Sequence, residues 1–317
     1  MRRLAALLVA TSLLAAGVAS ADNPWGRDYF PNVPLTTQDG KVVHLYDDLL
    51  KDKIVAISLF YTRCKYGCPL ETARLAQVQK ILGDRVGKDI HFYSISIEPQ
   101  RDTPEVLAGY AKKYGAGPGW LFLTGEERDV TLAARKLGLR ARAPNPADLD
   151  GHSPILMIGN VATGQWMQNS ALDNPRLLAM TIGRLLDGWK SHGAVKSYAE
   201  APSLDHLGKG EYLFSTRCAA CHTVGQGDRI GPDLHGVTTQ RDRGWLARFI
   251  QAPDRLLAEG DPIAKELFAK YKQVTMPNLR LGADDVAAIV DYLAAQERGG
   301  RAIPTRRRAA GAMIGQK

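Results

Sequence analysis

The run Ile54-Val55-Ala56-Ile57-Ser58-Leu59-Phe60-Tyr61 passes without a break into Thr62-Arg63-Cys64-Lys65-Tyr66-Gly67-Cys68-Pro69. Its first half is apolar and rich in β-branched and aromatic residues, which predicts a buried strand. Its second half sets two cysteines four residues apart where a helix begins. Leu70, Ala73, Leu75, Val78, Ile81 and Leu82 give that helix its apolar face. Cysteines at i and i+4 lie on one side of a helix start, and the helix N-terminus favours their thiolates.

The pattern continues outward from this unit. His91–Ile97 reads as a second strand, closed by Glu98-Pro99. Thr103-Pro104-Glu105 opens a helix through Tyr114, with Thr103 as N-cap and Pro104 at the first helical position. Trp120–Leu123 is a short strand, Asp129–Leu137 a helix and Pro154–Ile158 a strand. After a turn at Thr163-Gly164, Gln165–Gln168 pairs back. Leu178, Ile182, Leu185 and Trp189 define a last amphipathic helix. Strands alternating with helices predict an α/β layer fold over residues 22–190. Residues 191–207, rich in Gly, Ser, Pro and Ala, read as a linker. Beyond it β-type runs vanish, and Val286, Ile289, Val290 and Leu293 follow the acidic start Asp284-Asp285 of a helix. Residues 208–298 are therefore expected to be all-α, with a basic tail at 299–317.

Length agrees, since 317 residues suggest two domains at about 150 residues each. With 45% hydrophobic and 23% charged residues, the composition is globular and argues against disorder. Four cysteines are too few for a disulfide scaffold, and their grouping into one close pair per half points to two chemical sites. Residues 1–21 have the layout of a secretory signal, with Arg2-Arg3, an apolar stretch and Ala19-Ser20-Ala21 before the expected cleavage. An uncleaved anchor is the alternative, but Thr11, Ser12 and Gly17 interrupt a run already short for a span. Cleavage removes two of the formal +8 charges, leaving +6. The expectation is an exported, periplasmic protein, soluble or tethered at its N-terminus. The arginine-rich tail suits a solvated end, with an acidic partner or an anionic membrane surface as the other reading. Nucleic acid is not an expected partner.

The second cysteine pair is more specific. Cys218-Ala219-Ala220-Cys221-His222 is a C-x-x-C-H box, which places two thiols for thioethers to a haem and the next imidazole under its iron. A zinc site would need a second Cys pair or H-x₃₋₅-H, and neither is near; a disulfide between the two thiols is the other alternative. About 90 residues around the box resemble class I cytochrome c. The resembling segments are Gly231-Pro232-Asp233-Leu234-His235-Gly236-Val237, Met276-Pro277-Asn278-Leu279 and the helix from Asp284 to Gln296. The resemblance implies one covalent haem c on Cys218 and Cys221, with His222 and Met276 as axial ligands. His235 is a minor rival ligand. His/Met ligation favours a comparatively high potential and electron transfer.

The first half resembles the SCO/SenC family, a thioredoxin-like fold. The likeness rests on Cys64-x-x-x-Cys68-Pro69, on Ser96-Ile97-Glu98-Pro99-Gln100-Arg101-Asp102-Thr103-Pro104, on Phe122-Leu123-Thr124-Gly125 and on Gly151-His152-Ser153. It implies that Cys64, Cys68 and His152 bind one copper ion, and two thiolates with an imidazole are a donor set that suits copper. Each residue has a plainer reading, Cys64–Cys68 as a disulfide and His152 as a loop histidine. The sequence departs from the family at Lys65 and Tyr66, where Pro and an acidic residue are frequent. It departs again at Gly151, where Asp is usual, and at Ile158-Gly159-Asn160.

Together the two resemblances imply a metallochaperone serving the copper centre of a cytochrome oxidase, its tethered haem exchanging one electron with the copper. The partner is then an oxidase copper-site subunit or another exported thiol or copper protein. The alternative is an enzyme, a thiol–disulfide oxidoreductase with Cys64 and Cys68 as redox pair and the haem as electron acceptor. A haem roughly 300 mV above a disulfide would be opposed by about 14 kcal/mol in reducing it, so electrons would run from dithiol to haem. A simple electron carrier and a peroxiredoxin-type peroxidase are weaker readings.

Overall fold

The computed structural model describes residues 25–139, 154–185 and 208–299. The expected signal segment, His152, Trp189, the linker at 191–207 and the arginines of the tail lie outside the described residues. Among those described, no helix is long and apolar enough to cross a membrane.

The first half is a seven-stranded mixed sheet in the order β2-β1-β5-β4-β3-β6-β7. Its strands are β1 (Pro34–Thr37), β2 (Val42–His44), β3 (Ile54–Phe60), β4 (Ile90–Ser96), β5 (Trp120–Thr124), β6 (Ile155–Asn160) and β7 (Gln165–Ser170). β3 runs parallel to β4, and β4 to β5, while β6 lies antiparallel to β3. Every residue of β3 is buried, which is why its sequence is a continuous apolar run and not an alternation. β4 is buried everywhere except His91, so its polar positions need partners inside the protein. Ser94 has them: its Oγ lies 3.2 Å from the Ser58 hydroxyl and accepts from Trp120 Nε1 at 3.0 Å.

Among the described residues, four α-helices belong to this half: α1 (Gly67–Leu82), α2 (Pro104–Tyr114), α3 (Glu127–Lys136) and α4 (Pro175–Met180). Side chains of α1, α2 and α4 pack with Phe60, Phe92 and Phe122 on one face of the sheet. Those of α3 and of the turn Leu45–Leu50 pack with Val55, Ile57 and Ile95 on the other. The Thr103 cap forms as its sequence predicts, its hydroxyl accepting from the Val106 N–H at 3.5 Å. Two features differ from the sequence reading. The β1–β2 hairpin at the sheet edge is too short to show an alternation. The helix expected from Leu178 changes after Met180 into a wider turn, Thr181–Leu185.

The second half is helical. It comprises α5 (Lys209–Leu213), α6 (Val237–Gln240), α7 (Arg243–Gln251), α8 (Pro253–Glu259), α9 (Pro262–Lys270) and α10 (Ala283–Gly299). Ile289 and Leu293 of α10 pack on Phe214 and Val224. α5 and α10 cross closely at Gly210, where any Cβ would stand 2.1 Å from the Ala288 carbonyl oxygen.

The two halves dock. Ala220 belongs to the same buried cluster as α1, and Cys221, Ile230, Val274 and Leu279 pack against that cluster. Arg74 donates to the Thr216 carbonyl at 2.8 Å and Gln77 to the Ala219 carbonyl at 3.2 Å. On the other side of the contact the Asn278 N–H donates to the Lys65 carbonyl at 2.8 Å. The Arg280 guanidinium stands 4.4 Å from the centre of the Tyr66 ring.

Candidate functional site

The thiol loop leaves β3 after Phe60 and is fixed by the segment that follows β4. The Asp102 carboxylate, itself buried, accepts from the Thr62 N–H at 3.1 Å and the Thr62 hydroxyl at 2.5 Å. Glu98 takes Arg63 Nε and Nη2 at 2.6–2.9 Å. These contacts hold the residues directly ahead of Cys64, so the Ser96–Asp102 motif acts as a brace for the thiols.

Helix α1 then starts at Gly67 without a side-chain cap. Its first N–H groups need acceptors, and the Cys64 sulfur supplies one. The Cys64 pKa is brought down to about 5. The Cys68 thiol donates to it, outweighing burial, and the backbone N–H groups of Cys68 and Tyr66 and the Tyr61 hydroxyl add to the effect. Cys68 is pushed the other way, by burial and by the hydrogen bond it gives to Cys64. The pair is thus one thiolate and one thiol, both buried. One turn along, burial and the Cys64 charge raise the Glu71 carboxyl to about 8, so it is largely protonated at neutral pH.

Among the described residues, no group of three His, Cys, Asp or Glu side chains forms a metal site. Cys64 and Cys68 come together, and the third expected ligand, His152, lies outside the described residues. The two thiols suit a soft ion such as Cu(I).

In the helical half a cavity of about 300 Å³ collects Cys218, Cys221, His222 and Met276 on its walls. His222 Nδ1 stands 2.9 Å from the Pro232 carbonyl oxygen. A carbonyl only accepts, so Nδ1 carries the proton and Nε2 keeps the lone pair an iron would take. Burial lowers the His222 pKa, which keeps the ring neutral. Gly231 is required here, because a Cβ would stand 2.6 Å from His222 Cε1. The loop is pinned by Asp233, whose carboxylate accepts from Thr223 Oγ1 and from the N–H groups of Gly225, Gly227 and His235. Burial opposes that charge, but the hydrogen bonds hold the Asp233 pKa well below the usual range. Burial also raises Cys218 and Cys221 to about 12, so both are neutral thiols. His235 is exposed and is absent from the cavity wall. An apolar cavity with two neutral thiols, an oriented imidazole and a thioether fits a haem.

Sequence reasoning did not find the residues that join the sites. Pro69, next to Cys68, and Tyr114 of α2 are part of the same cavity wall as Cys221 and Met276. Lys65 and Tyr66, the two departures in the thiol loop, are the residues that meet Asn278 and Arg280. Their being unusual was the only signal in the sequence.

Comparison with known proteins agrees with both halves. The SCO1/SenC family model matches residues 27–180, and the Cytochrome c model matches residues 207–297. The SCO1 protein homolog of Bacillus subtilis is 31% identical over 126 residues, covering 39% of this chain and 63% of that protein. The SCO2-like protein RP587 of Rickettsia prowazekii is 31% identical over 145 residues, 44% of this chain and 67% of that protein. The structure of Bradyrhizobium japonicum ScoI with copper bound aligns at 23% identity and a TM-score of 0.40. That alignment covers 47% of this chain and 94% of ScoI.

Proposed function

Because the chain belongs to the SCO1/SenC family and carries a cytochrome c domain behind it, we propose an exported copper metallochaperone with a built-in one-electron partner. Cys64, Cys68 and His152 hold the cargo copper. Cys218 and Cys221 carry the haem, and His222 and Met276 are its axial ligands. The client is the copper centre of a cytochrome oxidase.

One observation carries this reading: the residue after Cys68 lines the cavity that contains Cys218, Cys221, His222 and Met276. The thiol pair and the cavity are thus neighbours along helix α1, with Pro69 on the cavity wall directly after Cys68. A bound haem supplies a one-electron couple of comparatively high potential. Copper passing between Cu(II) and Cu(I) matches it electron for electron, whereas a disulfide needs two electrons. Pro69 and Tyr114, which face the cavity from the thiol-bearing half, are both buried.

The test uses the full chain, haem-loaded and reduced, with free thiols at Cys64 and Cys68. One equivalent of Cu(II) is added without oxygen and the haem α-band is followed. Prompt haem oxidation with a stable 1:1 copper complex is expected, and both should be lost in Cys64→Ser and His152→Ala. Indifference to copper would reject the reading.

The asymmetry of the thiols favours one second reading. A thiolate at Cys64 beside a protonated Cys68 suits attack on a client disulfide, making the protein a thiol–disulfide oxidoreductase. That attack hands both electrons to the client as Cys64–Cys68 closes. For haem to be the acceptor, a client dithiol must instead reduce the Cys64–Cys68 disulfide; reclosing the thiolate–thiol pair then releases one proton and two electrons, taken by haem in two one-electron transfers. In that case His152→Ala keeps most of the activity.

A further inference from the structure

Helix α1 carries a charge that neither site uses. Arg74 is 4% exposed, and its guanidinium crosses the seam between the two halves. Nη2 donates to the Thr216 carbonyl at 2.8 Å, two residues ahead of Cys218, and Nη1 reaches Gln77 Oε1 at 3.4 Å. Nε has no hydrogen-bond partner, and no carboxylate forms an ion pair with Arg74 among the described residues. The guanidinium lies within electrostatic range of Cys221. Arg217 and Arg229 are also near that edge but are exposed, so water and salt screen them.

Burying a cation without a counter-charge is unfavourable, and an apolar side chain would pack here at less cost. A cation kept in such a place has an electrical consequence. Oxidising a haem adds one positive charge to it. A fixed positive charge at its thioether edge, shielded from water, opposes that oxidation and favours the reduced form.

We propose that Arg74, a residue of the copper-binding half, tunes the haem of the other half, holding its reduction potential up for as long as the halves are docked. Arg74 touches no reacting atom and acts through its field alone. This rests on the reading of Cys218, Cys221 and His222 as the haem site, and is independent of copper.

The experiment measures the haem midpoint potential of the full, haem-loaded chain by spectroelectrochemistry, without copper, at low and high salt. The deciding pair is Arg74→Gln and Arg74→Lys, since both side chains donate to the Thr216 carbonyl and they differ in charge. Arg74→Gln is expected to shift the haem equilibrium toward the oxidised form by about tenfold, equivalent to 59 mV for one electron. Arg74→Lys should keep the wild-type potential within about a third of that shift. Gln77→Ala, which loses the neutral contact to the Ala219 carbonyl, should leave the potential unchanged. Salt should alter the wild-type value by less than the Arg74→Gln shift.

Equal potentials in wild type and Arg74→Gln would overturn the proposal. So would an equal fall in Gln, Lys and Gln77→Ala variants, because loosening of the seam would then be the cause. A wild-type chain that takes up no covalent haem would instead reject the haem reading itself.

Discussion

The two cysteine pairs behave as opposites, although the less accessible pair is Cys64 and Cys68 and not Cys218 and Cys221. At Cys64 and Cys68 one thiol is held as thiolate, with its pKa at about 5, and its neighbour is kept protonated. At Cys218 and Cys221 both thiols are pushed up to about 12. Burial acts on all four, so burial is not what separates them. The difference is hydrogen bonding: an uncapped helix start, a tyrosine hydroxyl and a second thiol all point at Cys64. Nothing comparable serves the second pair, where burial is the leading influence and nearby arginines only temper it. Spacing distinguishes the two pairs as motifs, but the opposite protonation states come from what surrounds each sulfur.

The sharpest way to break this contrast is to remove one pair at a time. Cys218→Ser with Cys221→Ser should abolish covalent haem altogether, read by haem staining of the denatured protein. Cys64→Ser with Cys68→Ser should leave it at the wild-type level. Haem lost from both proteins would mean that the pairs are not separate sites.

Alkylation kinetics sharpen the contrast further. In the metal-free reduced chain, burial slows reaction of Cys64 with iodoacetamide at every pH, but its rate at pH 6 should stay close to its rate at pH 8, whereas an ordinary cysteine slows by more than about tenfold over that range. The rate should stay level from pH 8 to pH 6 and fall as pH drops through about 5. A rate that climbs steadily toward pH 8.5 would show an unperturbed thiol.

Glu71 gives a smaller effect with a defined sign. Its folded pKa of about 8 lies above the ordinary value of 4.5, so the folded state holds the proton more tightly. The stabilisation is complete below about 4.5 and is lost as pH rises through 8. Glu71→Gln should therefore gain on wild type between pH 5 and pH 8.5, by on the order of a few kcal/mol in urea unfolding. A constant gap at both pH values would contradict this.

The smallest effect is at the rim of the seam. Tyr66→Ala and Arg280→Ala in a double-mutant cycle should show a coupling of about 0.5–1 kcal/mol. No coupling would mean the ring and the guanidinium meet without holding the halves together.

Much of the fold was legible because the central strands are buried on both sides. IVAISLFY reads as β3 on composition alone, and the Thr103-Pro104 start of α2 follows from capping chemistry. The β1–β2 hairpin was not legible, since three or four residues such as Val42–His44 carry no usable period. The cysteines and the C-x-x-C-H box were visible as chemistry, and the resemblances carried their assignment. The seam was invisible for a physical reason. Arg74 follows Ala73 in a helix and looks like any solvated charge, because what buries it lies 142 residues further along the chain. The same holds for Lys65 and Tyr66, whose partners come from a loop that sequence periodicity does not connect to them.

The shared cavity wall also has a consequence for biogenesis. Pro69 and Tyr114 belong to the half that is synthesised first, whereas the C-x-x-C-H box is made later. If Cys218 and Cys221 carry a haem as proposed, it would be enclosed, once the halves meet, partly by residues from outside its own domain. Maturation therefore has an order of operations: either the attachment machinery reaches the box before docking, or the seam opens to admit it. A chain whose halves joined too early would be a folded protein with its thiols shut away from the enzyme that must modify them.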